Sequence, residues 1–399
     1  VPSGRFNEKL LKFKVTELTT DTVDIFLDYG RQLAGSTLWK FNPNTVEWYQ
    51  FPFEQIDEST IKITLVDGGL GDDDGIKNGV IEDDLGLTNN WWDASWSWRK
   101  QINITNTAMD LDDYQIKITL NNTNFNFSKS SSNLSDIRFT YYNSTTDNES
   151  KIDYFIESDT SLNYSTGNYE ADIWVEVPFI ENGTITNIFM YFGNPSAISE
   201  SNSSSTLIIY DTMESSPSGT LSGTAVYNST GDWVRLTSTV NNDLGFLNYN
   251  VNPGQGFRAE FESWIGGGDG LEATWMGAYD TTVTGNEEDI VQGGYHFTLD
   301  EGQDRIAFTK STNRDGTSIA QTTESSLDDS LWHDVLVYFW KNTQVVRSKI
   351  YYDSSLKVNA TDNTPQSLTG SNFLWGGRNK NDNNERRIRN LKVVKYTEP

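Results

Sequence analysis

The chain has no cysteine, so disulfide bridges and thiolate metal sites are excluded outright. Histidine is nearly absent. Only His296 and His333 occur, which leaves little for a zinc centre or for imidazole catalysis. Bases are scarce as well: 30 Lys and Arg stand against 56 Asp and Glu, a formal charge of −26. So acidic a total argues against nucleic acid or an anionic membrane as partner. Apolar runs fall far short of the roughly 20 residues that cross a bilayer as a helix, and no membrane span is expected. The opening VPSGRFN has neither an initiator Met nor an apolar leader, and reads as a processed or trimmed form.

What is present is alternation. Leu11/Phe13/Val15, Ile61/Ile63/Leu65, Tyr114/Ile116/Ile118/Leu120, Ile173/Val175/Val177 and Val335/Val337/Phe339 repeat with period two, the mark of strands with one buried face. Clusters such as TDNES and NRDG supply the turns between them. No stretch of helical length carries a 3.6-residue stripe. The expected fold is all-β, built of tandem antiparallel β-sandwich domains. Composition shifts at GLTNN and near Asp211 divide the chain into segments of about 1–90, 91–210 and 211–399.

The stretch GDDDGIKNGVIEDD concentrates charge. Seven acids between Asp67 and Asp84 face a single base, Lys77. Calcium takes six to eight oxygens on a tightly turning backbone. Asp72 and Asp74 are spaced to turn inward together, with Gly75 and Gly79 permitting bends. Asp67, Asn78, Glu82 and Asp83 are the remaining candidate ligands for Ca2+. The spacing is not that of an EF-hand: with Gly75 at the sixth position the first is Leu70, which carries no side-chain oxygen.

N-x-S/T sequons occur at Asn103, Asn122, Asn126, Asn133, Asn143, Asn148, Asn163, Asn182, Asn202, Asn228 and Asn359, nine of the eleven between residues 101 and 205. That density predicts N-glycosylation and, with the acidic balance and the lack of cysteine, an extracellular or cell-surface protein of archaeal character.

Other residue groups invite a chemical reading and also have a bland one. Trp91, Trp92, Trp96 and Trp98 could form a sugar platform, but are expected to pack a seam between two segments. Asp153 and Glu157 stand four apart on an alternating strand and so share a face, as a catalytic pair would, but are expected to be structural. Glu260 and Glu262 also face one way, as a retaining glycosidase pair requires. His296 in YHFTL and His333 in LWHDV are expected to be structural.

Three resemblances extend this reading. LLKFKVTEL, STLWKFNPNTVEWYQFP and ITLVDGGLGDDDGIKNGVIEDD make residues 1–90 resemble the choice-of-anchor U domain of secreted surface proteins. WSWRKQINITN, SDIRFTYY, KIDYFIES, ADIWVEVPFI and TNIFMYFGNPSAISESN make residues 91–210 resemble an uncharacterised domain of archaeal and bacterial surface proteins, without established catalytic residues. GFRAEFESWIGGGDGLEATWMGAY, GGYHFTLDEGQDRIAFTKS, SLWHDVLVYFW and FLWGGRNKNDNNERRIRNLKVVKY resemble a concanavalin-like or laminin-G-like jelly roll. That last resemblance implies glycan or calcium binding and makes Asp269, in GGGDGLE, a candidate sugar ligand. Its glycosidase members carry an acid-x-acid-x-x-acid run; here the third place is Ile265.

The expected function is therefore non-catalytic: a calcium-stiffened, glycosylated structural subunit of a surface filament, sheath or layer, with copies of itself or other surface proteins as partners. Its N-terminal strand, EKLLKFKVTEL, is a candidate for pairing with a neighbour's sheet edge. The alternative is a glycan-binding adhesin or lectin module.

Overall fold

A computed structural model describes the chain except for residues 1–4, 7–9, 34, 43–46, 90, 94, 144–147, 158–161, 164–167, 267–272, 281, 284–290, 293, 311–316, 369, 380–383 and 398–399. The described residues are almost wholly antiparallel strand and fall into two compact units, Val1–Asn202 and Ser203–Pro399.

The first unit contains two hydrophobic cores. One lies between a sheet centred on Ile81–Asn89 and a smaller sheet of Thr22–Asp28, Thr60–Val66 and Glu54–Gln55. Ile61, Ile63 and Leu65 are fully buried while Thr64 between them is exposed, as period-two alternation requires. Arg5–Phe6 and Leu11–Val15 both pair with one side of Ile81–Asn89, and Ser36–Asn42 pairs with the other. The Leu11–Val15 segment is thus a strand of its own sheet, with exposed Lys12 and Lys14 on a sheet edge, a placement that discourages pairing with another chain.

The other core lies under Leu111–Asn121, Asn168–Ile180 and Tyr154–Ile156 on one side, and Asn148–Ile152, Arg138–Asn143, Ile185–Phe192 and Trp98–Thr105 on the other. Ile173, Val175 and Val177 point into it and are completely buried.

The second unit is a jelly-roll sandwich of an eight-stranded and a seven-stranded antiparallel sheet around one large core. Ile209–Asp211 already belongs to it, through pairing with Arg386–Lys395. The hairpin joining Val346–Tyr352 to Ser355–Asp362 turns on Asp353 and Ser354, with φ of 46° and 65°. Two positive φ values in a two-residue loop match the right-handed twist of the strands they join. No described helix is long and apolar enough to cross a membrane.

Candidate functional site

The carboxylates of the acidic stretch are engaged by amides and lysines of the chain itself. Asp67 accepts the backbone N–H groups of Asn78 and Gly79 at 3.1 and 2.8 Å. Asp72 accepts those of Gly68 and Glu82 at 2.8 and 3.2 Å. Asp74 accepts the Ile76 amide at 2.7 Å and the Asn78 side chain at 3.2 Å. Gly75 and Gly79 make the bends expected of them, at φ of 64° and 78°.

The last acids lie on a strand, and alternation separates them. Glu82 and Asp84 turn outward to Lys14 and Lys12 at 2.6 and 3.2 Å. Asp83 turns inward to Lys40 at 2.7 Å, with both side chains completely buried. Neighbouring strand residues on opposite faces do not close one coordination shell. The six candidate ligands therefore do not fit a calcium cage, and among the described residues no group of three or more His, Asp or Glu is arranged to hold a metal ion.

The tryptophans pack inward. Trp91 and Trp96 are buried with Tyr191. Arg31 lies over the Trp91 ring at 5.1 Å, and Arg99 lies over the same ring at 5.5 Å. The Gln32 side chain accepts the Arg99 amide at 2.8 Å, and Lys129 pairs with Glu58 at 2.6 Å. These contacts join the two halves of the first unit, and the cluster is a seam rather than a platform.

Asp153 and Glu157 do not share a face. A break between Asn148–Ile152 and Tyr154–Ile156 leaves Asp153 exposed, while Glu157 is buried and pairs with Lys117 at 3.4 Å. Of the sequon asparagines, Asn103, Asn122, Asn126, Asn133, Asn182, Asn202 and Asn359 are exposed, and Asn143 and Asn228 are half-buried. Asn148 and Asn163 lie on strands, at their starting and ending residues respectively. Asn122 and Asn126 line a cleft of about 660 Å³ with Phe125, Phe127 and Tyr169.

In the second unit, Glu260 and Glu262 do face the same way, but each is held by cations. Lys392 reaches Glu260 at 3.1 Å, and Arg389 grips one oxygen of Glu262 at 2.8 and 2.6 Å. Neither carboxylate is left for acid–base work. Asp269 lies outside the described residues. His333 is clamped between Asp329 and Asp353 at 2.9 and 2.7 Å and stacks on Tyr352. Burial opposes its charged form, but the two carboxylates outweigh that and raise its pKa above the ordinary value.

The face that draws attention is on the seven-stranded sheet. Leu247, Trp375, Met276, Phe297 and Phe308 stand in register across five strands and point into the core. The row Phe246, Gly376, Trp275, Thr298 and Ala307 faces the other way, as does the row Asn248, Leu374, Gly277, His296 and Thr309.

Phe246, Trp275 and Leu374 form a separate apolar cluster there. Two glycines make room for it: a Cβ on Gly376 would sit 2.5 Å from the Trp275 ring, and one on Gly277 would sit 2.4 Å from the Asp280 carboxylate. Beside the cluster, His296 Nε2 meets Asp280 Oδ1 at 3.1 Å with neither side chain exposed. Burial raises the Asp280 pKa, with His296 pulling the other way.

Several polar atoms on this face are buried without a hydrogen-bond partner among the described residues: Asp280 Oδ2, His296 Nδ1, Asn248 Oδ1, Trp275 Nε1 and Thr309 Oγ1. Each such atom forgoes about 1–3 kcal/mol unless a partner arrives. Among the described residues no hydroxyl is bonded to His296 Nδ1. Sequence reasoning found His296 but not its partner. The only local signal was a glycine in each of two facing strands, GAYD and WGGR.

Residues 133–235 match a family described as a domain of unknown function, DUF2341. No curated protein matches the chain. Among solved structures, the chain is similar to the carbohydrate recognition domain of Emp47p, at 12% identity and a TM-score of 0.38, over 47% of this chain and 95% of that one. It is also similar to the exoplasmic/lumenal domain of VIP36 in its Ca2+/Man3GlcNAc-bound form (13%, 0.38, 48% and 89%). A legume lectin-like domain from Entamoeba histolytica is a third (11%, 0.37, 45% and 90%). No residue role is transferred from likenesses at this level.

Proposed function

We propose that the chain is a non-catalytic, glycan-binding protein of the extracellular surface, and that its second unit reads the glycan on the outward face of the seven-stranded sheet. The observation that carries this is the set of polar atoms on Asp280, His296, Asn248, Trp275 and Thr309 that lack a partner among the described residues, set around Phe246 and Leu374; the face is buried, so a glycan reaches it by displacing what covers it. A sugar supplies what such a face lacks: hydroxyls that donate and accept, on a ring whose C–H groups pack against aromatic carbon. Seven exposed sequon asparagines support the surface location. The ion pairs on Glu260 and Glu262 support a binding rather than a hydrolytic role.

The test is a glycan array with the full chain, followed by calorimetry on any hit. Saturable binding that is lost in Asp280→Asn, with the variant still folded by circular dichroism at the temperature of the assay, is the expected result. Binding equal in the variant, or no binding to any glycan, overturns the reading.

A further inference from the structure

The eight-stranded sheet of the second unit carries a cationic, aromatic face that the acidic total of the chain conceals. Phe257, Ala259, Val337 and Phe339 point into the core, so their strand neighbours point out. Along five adjacent strands those outward positions hold Arg235, Arg258, Arg347, Lys349, Arg387, Arg389 and Lys392, against Glu260, Glu262 and Asp334. Glu385 also pairs with Arg387 at 2.8 Å, so seven bases stand against four acids, still a local positive excess on a chain of net charge −26.

Aromatic rings are interleaved with the bases. Arg387 is sandwiched between Trp233 and Trp264, at 4.5 and 4.0 Å from their centroids. Arg389 lies over Trp332 at 4.2 Å. At the other end, Tyr338 packs edge-on against Tyr351 and Tyr396. A shallow cleft lined by Tyr338, Trp340, Arg347, Lys349 and Asn359 continues the face there. The rings are half-buried, so each presents one part of its surface outward.

We infer that this face is a second binding surface, and that its ligand is an acidic polysaccharide bearing one carboxylate per sugar ring. Guanidinium groups match carboxylates in a planar, two-point geometry, and aromatic planes accept the C–H faces of sugar rings. Charge complementarity selects an anion. Charge density selects which: duplex DNA carries a charge about every 1.7 Å, which sets so dense a polymer against the acidic remainder of the chain. A uronic-acid chain meets the local cations with far less repulsion. This surface is on the opposite sheet from the one proposed above, and the inference goes beyond that reading without depending on it.

The probe is polygalacturonate, tested by calorimetry on full-length protein produced without glycans, so that Asn359 leaves the face uncovered. Binding at low salt that weakens as salt rises is expected, with no binding to neutral dextran. The double charge reversal Arg347→Glu/Lys349→Glu alters two bases at one end of the face and is expected to weaken binding about tenfold or more, with an unchanged thermal midpoint. Trp332→Ala tests the aromatic part through a second variant. Asp280→Asn is expected to retain polygalacturonate binding, which separates this surface from the proposed glycan site.

Equal binding by wild type and the double reversal overturns the inference, as does no binding at low salt. So does equally tight binding of poly(dT), which would mark a general polyanion surface. A concentration-dependent dimer that the double reversal abolishes, seen by sedimentation velocity, would assign the face to a second copy of the chain and overturn it too.

Discussion

Lys40 and Asp83 meet at 2.7 Å with neither side chain exposed to solvent, inside the smaller core of the first unit. The lysine also donates to the Gly71 carbonyl at 2.8 Å and lies 4.3 Å from the centre of the Phe51 ring. Burial pushes the Asp83 carboxyl up to about 6, against the pull of Lys40, and pushes Lys40 down. This pair ties the acidic stretch to the core.

Removing one partner strands the other's charge. Lys40→Met is expected to destabilise the chain by about 3–5 kcal/mol in urea unfolding. The double variant Lys40→Met/Asp83→Leu is expected to recover most of that loss. A single variant as stable as wild type would show that the pair carries no such strain.

The carboxylates of the acidic stretch are occupied by amides and lysines, so calcium has little to add. Saturating calcium at 100 times its dissociation constant would raise stability by about 2.7 kcal/mol if it bound the folded chain alone. Thermal midpoints with millimolar calcium and with a chelator are expected to coincide. A rise of several degrees on adding calcium would reinstate a metal site.

The His333 clamp gives the second unit a pH dependence of known sign. A histidine whose folded pKa is raised contributes stability that is full below about pH 6.5 and is lost as pH rises through its folded value. Asp329, opposed by burial but held low by His333, works the other way and is lost as pH falls through its own value. Urea midpoints are therefore expected to decline from pH 6 to pH 8.5 in wild type. His333→Asn should flatten that decline; an identical slope in the variant would assign it elsewhere.

Gly376 lies under Trp275, where a methyl group does not fit. Gly376→Ala is expected to cost about 1–3 kcal/mol by overpacking and to change tryptophan fluorescence. Unchanged stability would mean that the Trp275 ring moves aside freely.

Much of the fold was legible because alternation is a local signal. Ile61, Ile63 and Leu65 announce their buried face within five residues, and Glu260 and Glu262 announce theirs within three. The partners were not legible, since they arrive from strands far along the chain. Lys12, Lys14 and Lys40 neutralise acids at 82–84, and Arg389 meets Glu262 across 127 residues.

The acidic stretch read as an ion site because its own neighbourhood holds one base, and the lysines that answer it were out of view. The Asp280–His296 pair was hidden for a related reason: strand register, set by the whole sheet, brings the two together. The total charge misled in the same way, since summing over the chain erased a basic face assembled from five strands.

The seam around Tyr191 also sets an order of events during synthesis. Its hydroxyl accepts the Trp92 amide across 99 residues and sits 3.3 Å from an Arg99 nitrogen. Trp91 packs edge-on against the same ring and has Arg31 over its own ring. The flank of the first core therefore stays open until residue 191 has been made. At about 5–20 residues per second, that is a wait of roughly 5–20 s after Trp92 emerges. Two tryptophans and an arginine remain uncovered through that interval, and a chain with no cysteine has no disulfide to hold the early part in place.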